Sequence, residues 1–191
     1  MSRLAGGFDL ARVIVDILGL QEFDKTGIYI QRSRGSPLEI SFAAHKPTRV
    51  PNDAFLLMLQ HVNQLKALTL YGTSDNIHNL VKRFDSPAPL LEKLDIRAVH
   101  LDPAVVESTV FGGNLSSLRK LRLWGGFISL PWRNMSNLTT LEIRGGTSYD
   151  VSMTQLLDFF ERTPLLRQIR LIDSLLDSSN APAERVVSLP P

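Results

Sequence analysis

Leu118 to Trp124, L-R-K-L-R-L-W, is the stretch from which the rest of this chain can be read. The same L-x-x-L-x-L pattern returns at Leu65 (L-K-A-L-T-L), Leu91 (L-E-K-L-D-I), Leu138 (L-T-T-L-E-I) and Leu166 (L-R-Q-I-R-L). The leading leucines at 65, 91, 118, 138 and 166 stand 26, 27, 20 and 28 residues apart. In each copy the last two apolar residues alternate with polar ones, which is the period-2 signature of a strand with one buried face.

Periods of this size match leucine-rich repeats, in which a short strand and a return segment make one coil of a solenoid. One coil cannot bury its apolar side alone, so neighbouring coils must stack on a continuous core. The expected fold is α/β: a leucine-rich-repeat solenoid with a curved parallel sheet and helices or irregular coils on the convex side. Residues 1–36 are expected to form an N-terminal helical cap, 37–176 the solenoid, and 177–191 a C-terminal edge strand or tail.

Composition narrows the function classes. Hydrophobic residues make up 43% of the 191, an ordinary share for a folded domain. The net charge is only +2 despite a pI near 9.1, so no strong nucleic-acid field is implied and basic character must be local. There are no cysteines, which excludes disulfides, thiolate chemistry and cysteine-based zinc sites. The start, Met1-Ser2-Arg3-Leu4, carries no apolar run long enough for a signal peptide or membrane span. An intracellular location, cytoplasm or nucleus, is expected.

Along the chain, Leu10, Val13, Ile14, Ile17 and Leu18 fall at helical intervals and predict a helix over Phe8–Leu20. A second helix is expected over Phe23–Arg34, closing at Gly35. Pro37–Phe42 reads as the first strand, with Ile40 equivalent to Leu68. Asn52 or Asp53 caps a helix through Phe55, Leu56, Leu59 and Val62. Further helices are expected from Asn76 to Phe84, from Asp102-Pro103, and from Val151 to Arg162 with Leu156, Leu157, Phe159 and Phe160 inward. The 20-residue step from 118 to 138 leaves no room for a full helix and predicts an extended or single-turn return.

Strand geometry then assigns three rows of side chains to the open, concave face. The middle row is Ser41, Thr69, Asp95, Arg122, Glu142 and Arg170. The row before it is Glu39, Ala67, Lys93, Lys120, Thr140 and Gln168, and the row after it Ala43, Tyr71, Arg97, Trp124, Arg144 and Ile172. The alternating signs of the middle row predict a ladder of cross-strand ion pairs. Trp124 lies between Arg97 and Arg144, and Trp, Tyr and Arg dominate binding hot spots. The expected partner-binding residues on this face are Tyr71, Arg97, Lys120, Arg122, Trp124, Arg144 and Arg170. The alternative is that Trp124 folds over the sheet edge beside Pro131 and Trp132.

An enzyme is not expected. His45, His61, His78 and His100 are scattered without metal spacing, no serine sits in a G-x-S-x-G elbow, and the paired glycines are not phosphate loops. No cofactor and no metal are expected. Asp95 and Glu142 interrupt the basic residues of the open face, so neither nucleic acid nor membrane is an expected partner. The ninth repeat position, often Asn or Cys in regular repeats, is Thr73, Val99, Gly126, Gly146 and Ser174, so irregular coils without an asparagine ladder are expected.

The connecting phrases carry a family resemblance. Q-R-S-R-G-S-P-L-E-I (Gln31–Ile40), P-A-P-L-L-E-K-L-D-I (Pro87–Ile96), N-L-T-T-L-E-I (Asn137–Ile143) and L-L-D-F-F-E-R-T-P-L-L-R-Q-I-R-L (Leu156–Leu171) resemble the leucine-rich-repeat region of fungal, basidiomycete-type F-box proteins. The resemblance spans about residues 28–172. It implies a substrate receptor of a cullin-based ubiquitin ligase, with the repeats holding a protein substrate. Residues 1–27 do not resemble an F-box, so a Skp1-type adaptor is implied only if an F-box is missing from this chain. The competing reading is a repeat scaffold unrelated to ubiquitination.

Overall fold

The computed structural model describes residues 11–16, 28, 30–33, 35–44, 53–99, 110–125, 134–144 and 153–172. Seven strands form one sheet: β1 (Ala11–Asp16), β2 (Leu38–Ala44), β3 (Leu65–Thr73), β4 (Lys93–Val99), β5 (Lys120–Trp124), β6 (Thr140–Arg144) and β7 (Gln168–Ile172). Each strand pairs in parallel with the next in sequence, and the sheet order is the chain order. Helices α1 (Asp53–Gln60), α2 (Ser74–Val81) and α3 (Met153–Arg162) belong to the return segments.

The register follows the sequence repeat position by position. Ile40, Leu68, Leu94, Leu121, Leu141 and Ile169 are successive pairing partners, as are Phe42, Leu70, Ile96, Leu123, Ile143 and Leu171. The leading leucines Leu65, Leu91, Leu118, Leu138 and Leu166 are completely buried. Behind the sheet, Phe42, Phe55, Phe84 and Phe111 stack in series, with centroids 5.2, 5.6 and 4.8 Å apart. Phe42 comes from β2 and the other three rings from three successive return segments, so this aromatic row ties those segments to one core.

A turn before each leading leucine absorbs the unequal steps. The amides of Leu91, Leu118, Leu138 and Leu166 donate to the carbonyls of Ala88, Leu115, Met135 and Thr163 at 3.0–3.1 Å. Those four residues are all buried, and Thr163 also donates its hydroxyl to the Phe159 carbonyl at 2.9 Å. The buried motif therefore begins three residues earlier than L-x-x-L-x-L. Coil length varies only between one strand and the next turn, so the 20-residue step still returns Leu138 in register.

At the N-terminus the expectation fails. The helix expected over Phe8–Leu20 is a strand at Ala11–Asp16, with Val13 opposite Ile40. Pro37–Phe42 therefore contributes the second strand and not the first. The helical spacing was real, but the β-branched run Val13-Ile14-Val15 favours extended backbone, and the free edge of β2 supplies ladder partners. The step from Val13 to Ile40 is 27 residues, so β1 continues the repeat. The 30–32 segment is helical as expected, and Gly35 follows with φ +85°.

The return segments differ in detail. In α1, Phe55 and Met58 face inward while Leu56 is 40% exposed. Helix α2 begins at Ser74 and not Asn76, because the Thr73 hydroxyl accepts from the Asn76 amide at 3.4 Å as its cap. A turn at Val110–Gly113, with Phe111, Gly112 and Gly113 at positive φ, buries Val110 and Phe111. Helix α3 presents Phe159 to the core, with Leu157 and Phe160 half-buried. The helix expected from Asp102-Pro103, the return beside Pro131-Trp132 and the tail at 177–191 lie outside the described residues.

Candidate functional site

Alternation along the strands leaves one sheet face for polar and aromatic side chains. Leu94 and Ile96 are buried while Lys93, Asp95 and Arg97 lie on the opposite side, and the same holds for Leu121 and Leu123 against Lys120, Arg122 and Trp124. The pairing register brings Tyr71, Arg97, Trp124, Arg144 and Ile172 into one line across five strands.

Trp124 is the centre of that line. The Arg97 guanidinium carbon lies 4.5 Å from its ring centroid and that of Arg144 lies 5.1 Å away. Both are within cation–π range, worth about 0.5–1 kcal/mol each where water has access. The indole is partly buried between the two arginines, and its Nε1 is covered and has no hydrogen-bond partner among the described residues. Pro131 and Trp132, against which it would have folded in the alternative arrangement, are outside the described residues.

Asp95 sets the position of Arg97. Arg97 Nε and Nη2 donate to the two carboxylate oxygens at 2.9 and 2.7 Å, a fork-to-fork contact two residues apart on β4. That hydrogen bond pushes the Arg97 guanidinium above its ordinary value, against the opposing effect of burial. Arg97 therefore stays cationic over the indole while much of its field is neutralised.

The expected ladder of ion pairs exists in its central part. Arg122 Nη1 is 3.9 Å from Asp95, and Arg122 Nε is 3.2 Å from Glu142. The second contact is an ionic approach without hydrogen-bond alignment, since Arg122 Nε has no aligned acceptor among the described residues. Glu142 is only 7% exposed, so Arg122 is the cation that compensates its burial. Arg170 is opposite Glu142 in the register but is exposed and forms no ion pair among the described residues, so the ladder stops at Glu142.

Lys120 stands apart from Trp124 and borders a depression of about 210 Å³ with Lys93, Asp95 and Arg122. Of the seven residues expected from sequence, Tyr71, Arg97, Trp124 and Arg144 make a continuous strip. Arg122 flanks it, Lys120 lies one row further along β5, and Arg170 lies on the exposed end strand. Asp95 and Glu142 belong to the alternating row from which the ladder is expected; the contact that the row does not predict is the fork from Arg97 to Asp95, two residues apart on one face of β4.

The two described histidines do not converge. His61 Nδ1 meets Gln64 Nε2 at 3.0 Å, and His78 sits on α2 with Nδ1 covered and unpartnered among the described residues. Among the described residues no group of three His, Asp or Glu side chains is arranged to hold a metal, and no helix is long and apolar enough to cross a membrane. Compared with family models, curated proteins and solved structures, the chain matches none of them.

Proposed function

We propose that this chain is a leucine-rich-repeat solenoid that works as a non-enzymatic protein-binding module through the open face of its sheet. The supporting observation is the strip Tyr71–Arg97–Trp124–Arg144, in which a tryptophan is held between two arginines on adjoining strands. Such a surface offers a large aromatic area and directional cations on a rigid support, the combination found at the centres of protein interfaces. Sequential parallel pairing over seven strands and the buried leucine rows support the repeat architecture.

The resemblance of residues 28–172 to fungal F-box proteins makes the ligand a substrate awaiting ubiquitination, with a Skp1-type adaptor involved only where an F-box accompanies these residues. The runner-up is a scaffold with the same binding face and no ligase. Affinity purification of the native chain beside Trp124→Ala and Arg144→Glu variants tests both. Partners lost from both variants are ligands of the face, and a Skp1–cullin pair among the retained proteins favours the ligase. A partner set identical for all three chains removes the proposed face.

A further inference from the structure

A second surface lies at the other end of the strands, away from Trp124. There a groove of about 410 Å³ crosses the strand starts, lined in part by Lys66, Leu90, Glu92, Arg119, Thr139 and Leu165. Its floor has little main-chain hydrogen-bonding capacity to offer. Ser117 Oγ donates to the Pro89 carbonyl at 2.6 Å, Asn137 Nδ2 to that of Ser116 at 2.7 Å, and Thr139 Oγ1 to that of Arg119 at 2.9 Å. The amides of Glu92 and Arg119 donate to the carbonyls of Lys66 and Glu92. A ligand therefore cannot add here as a strand and must be read by side chains.

The side chains are placed unevenly. Leu90 and Leu165 are each 46% exposed, at the top of the range for large apolar residues in the described part of the chain. Both occupy the position just before a leading leucine, in the repeated phrase Pro-Leu-Leu at 89–91 and 164–166. Ser117 and Asn137 fill that position in the two coils between them, so the turn itself does not require leucine. Charge is uneven too. Lys66 is matched by Glu92 at 3.9 Å, whereas Arg119 is exposed and forms no ion pair among the described residues.

We propose that this groove binds an extended segment of a partner protein in which a carboxylate side chain is flanked on both sides by apolar ones. The carboxylate pairs with Arg119, and the apolar side chains cover Leu90 and Leu165. Leu90 and Leu165 are three coils apart, about 14 Å at the usual strand spacing, which an extended chain covers in about four residues. The matching pattern is apolar-x-acidic-x-apolar. This surface is separate from the sheet face and does not depend on the function proposed for it.

Fluorescence anisotropy with the full chain and the labelled peptide GLSESLG tests the assignment. Binding is expected, with a loss of roughly tenfold or more on Arg119→Glu, equivalent to about 1.4 kcal/mol. The lysine peptide GLSKSLG should bind Arg119→Glu better than it binds the native chain, which a merely misfolded variant would not do. Leu90→Ser with Leu165→Ser should weaken GLSESLG, and Trp124→Ala should leave it unchanged. No binding at millimolar peptide, equal binding to Arg119→Glu, or a loss confined to Trp124→Ala would each overturn the proposal.

Discussion

Arg97 and Trp124 are register partners on β4 and β5, and the guanidinium carbon of the first lies 4.5 Å from the ring centroid of the second. The arginine is held there by its two hydrogen bonds to Asp95. The indole environment should therefore report on a carboxylate that never touches it.

In a Trp132→Phe background, which leaves Trp124 as the single indole, Asp95→Ala should alter the emission and increase quenching by iodide. The fork contact and the cation–π contact together predict a stability loss of about 1 kcal/mol, discounted because the Arg97 side chain is 35% exposed. Unchanged emission in Asp95→Ala would mean that Arg97 keeps its place without the carboxylate.

Phe84 is the middle of the aromatic row, 5.6 Å from Phe55 and 4.8 Å from Phe111. Phe84→Ala should cost about 3–5 kcal/mol, and Phe84→Leu clearly less, in urea unfolding monitored by circular dichroism. A loss below about 1 kcal/mol for the alanine variant would show that the coils are not coupled through this row.

Gly125 ends β5 with φ +78°, and its amide donates to the Arg144 carbonyl at 2.9 Å. A Cβ at this position would lie 2.0 Å from the Ala98 carbonyl oxygen, a main-chain atom with no freedom to move aside. Gly125→Ala should cost about 1–3 kcal/mol from backbone strain alone, with the clash added. It should also disturb both Trp124 and Arg144, so a folded variant with native-like emission would contradict the geometry.

His78 has a pKa lowered from 6.5, first by burial and then by Lys82, with Asp75 opposing. The unfolded chain therefore takes up the proton before the folded one, and the stability His78 contributes is complete above pH 6.5. That contribution is lost as the pH falls through the lower folded-state value. Urea midpoints measured downward from neutral pH should decline for the native chain and decline less for His78→Asn. Identical slopes for the two chains would place the titrating group elsewhere.

The sequence by itself determined the inner face of the sheet. Leucine spacing is a local, periodic property, and a residue at position two or four of a strand goes to the core whatever partners it finds, so Leu94, Leu121 and Leu141 could be placed one by one. It also determined which side chains share the open face, because register followed from the same leucines. Tertiary structure decided the rest. Val13 and Ile14 suit a helix by spacing and a strand by β-branching, and the open edge of β2 decides for the strand. Ala88 and Thr163 carry no apolar periodicity, yet each is buried because the turn that launches a leading leucine turns it inward. Asp95 and Glu142 interrupt a basic patch, but the contacts of Arg122 with both across the strands, and of Arg97 with Asp95 along β4, make them its supports. Periodicity encodes which way a side chain points, whereas its partners depend on what the neighbouring coil brings alongside.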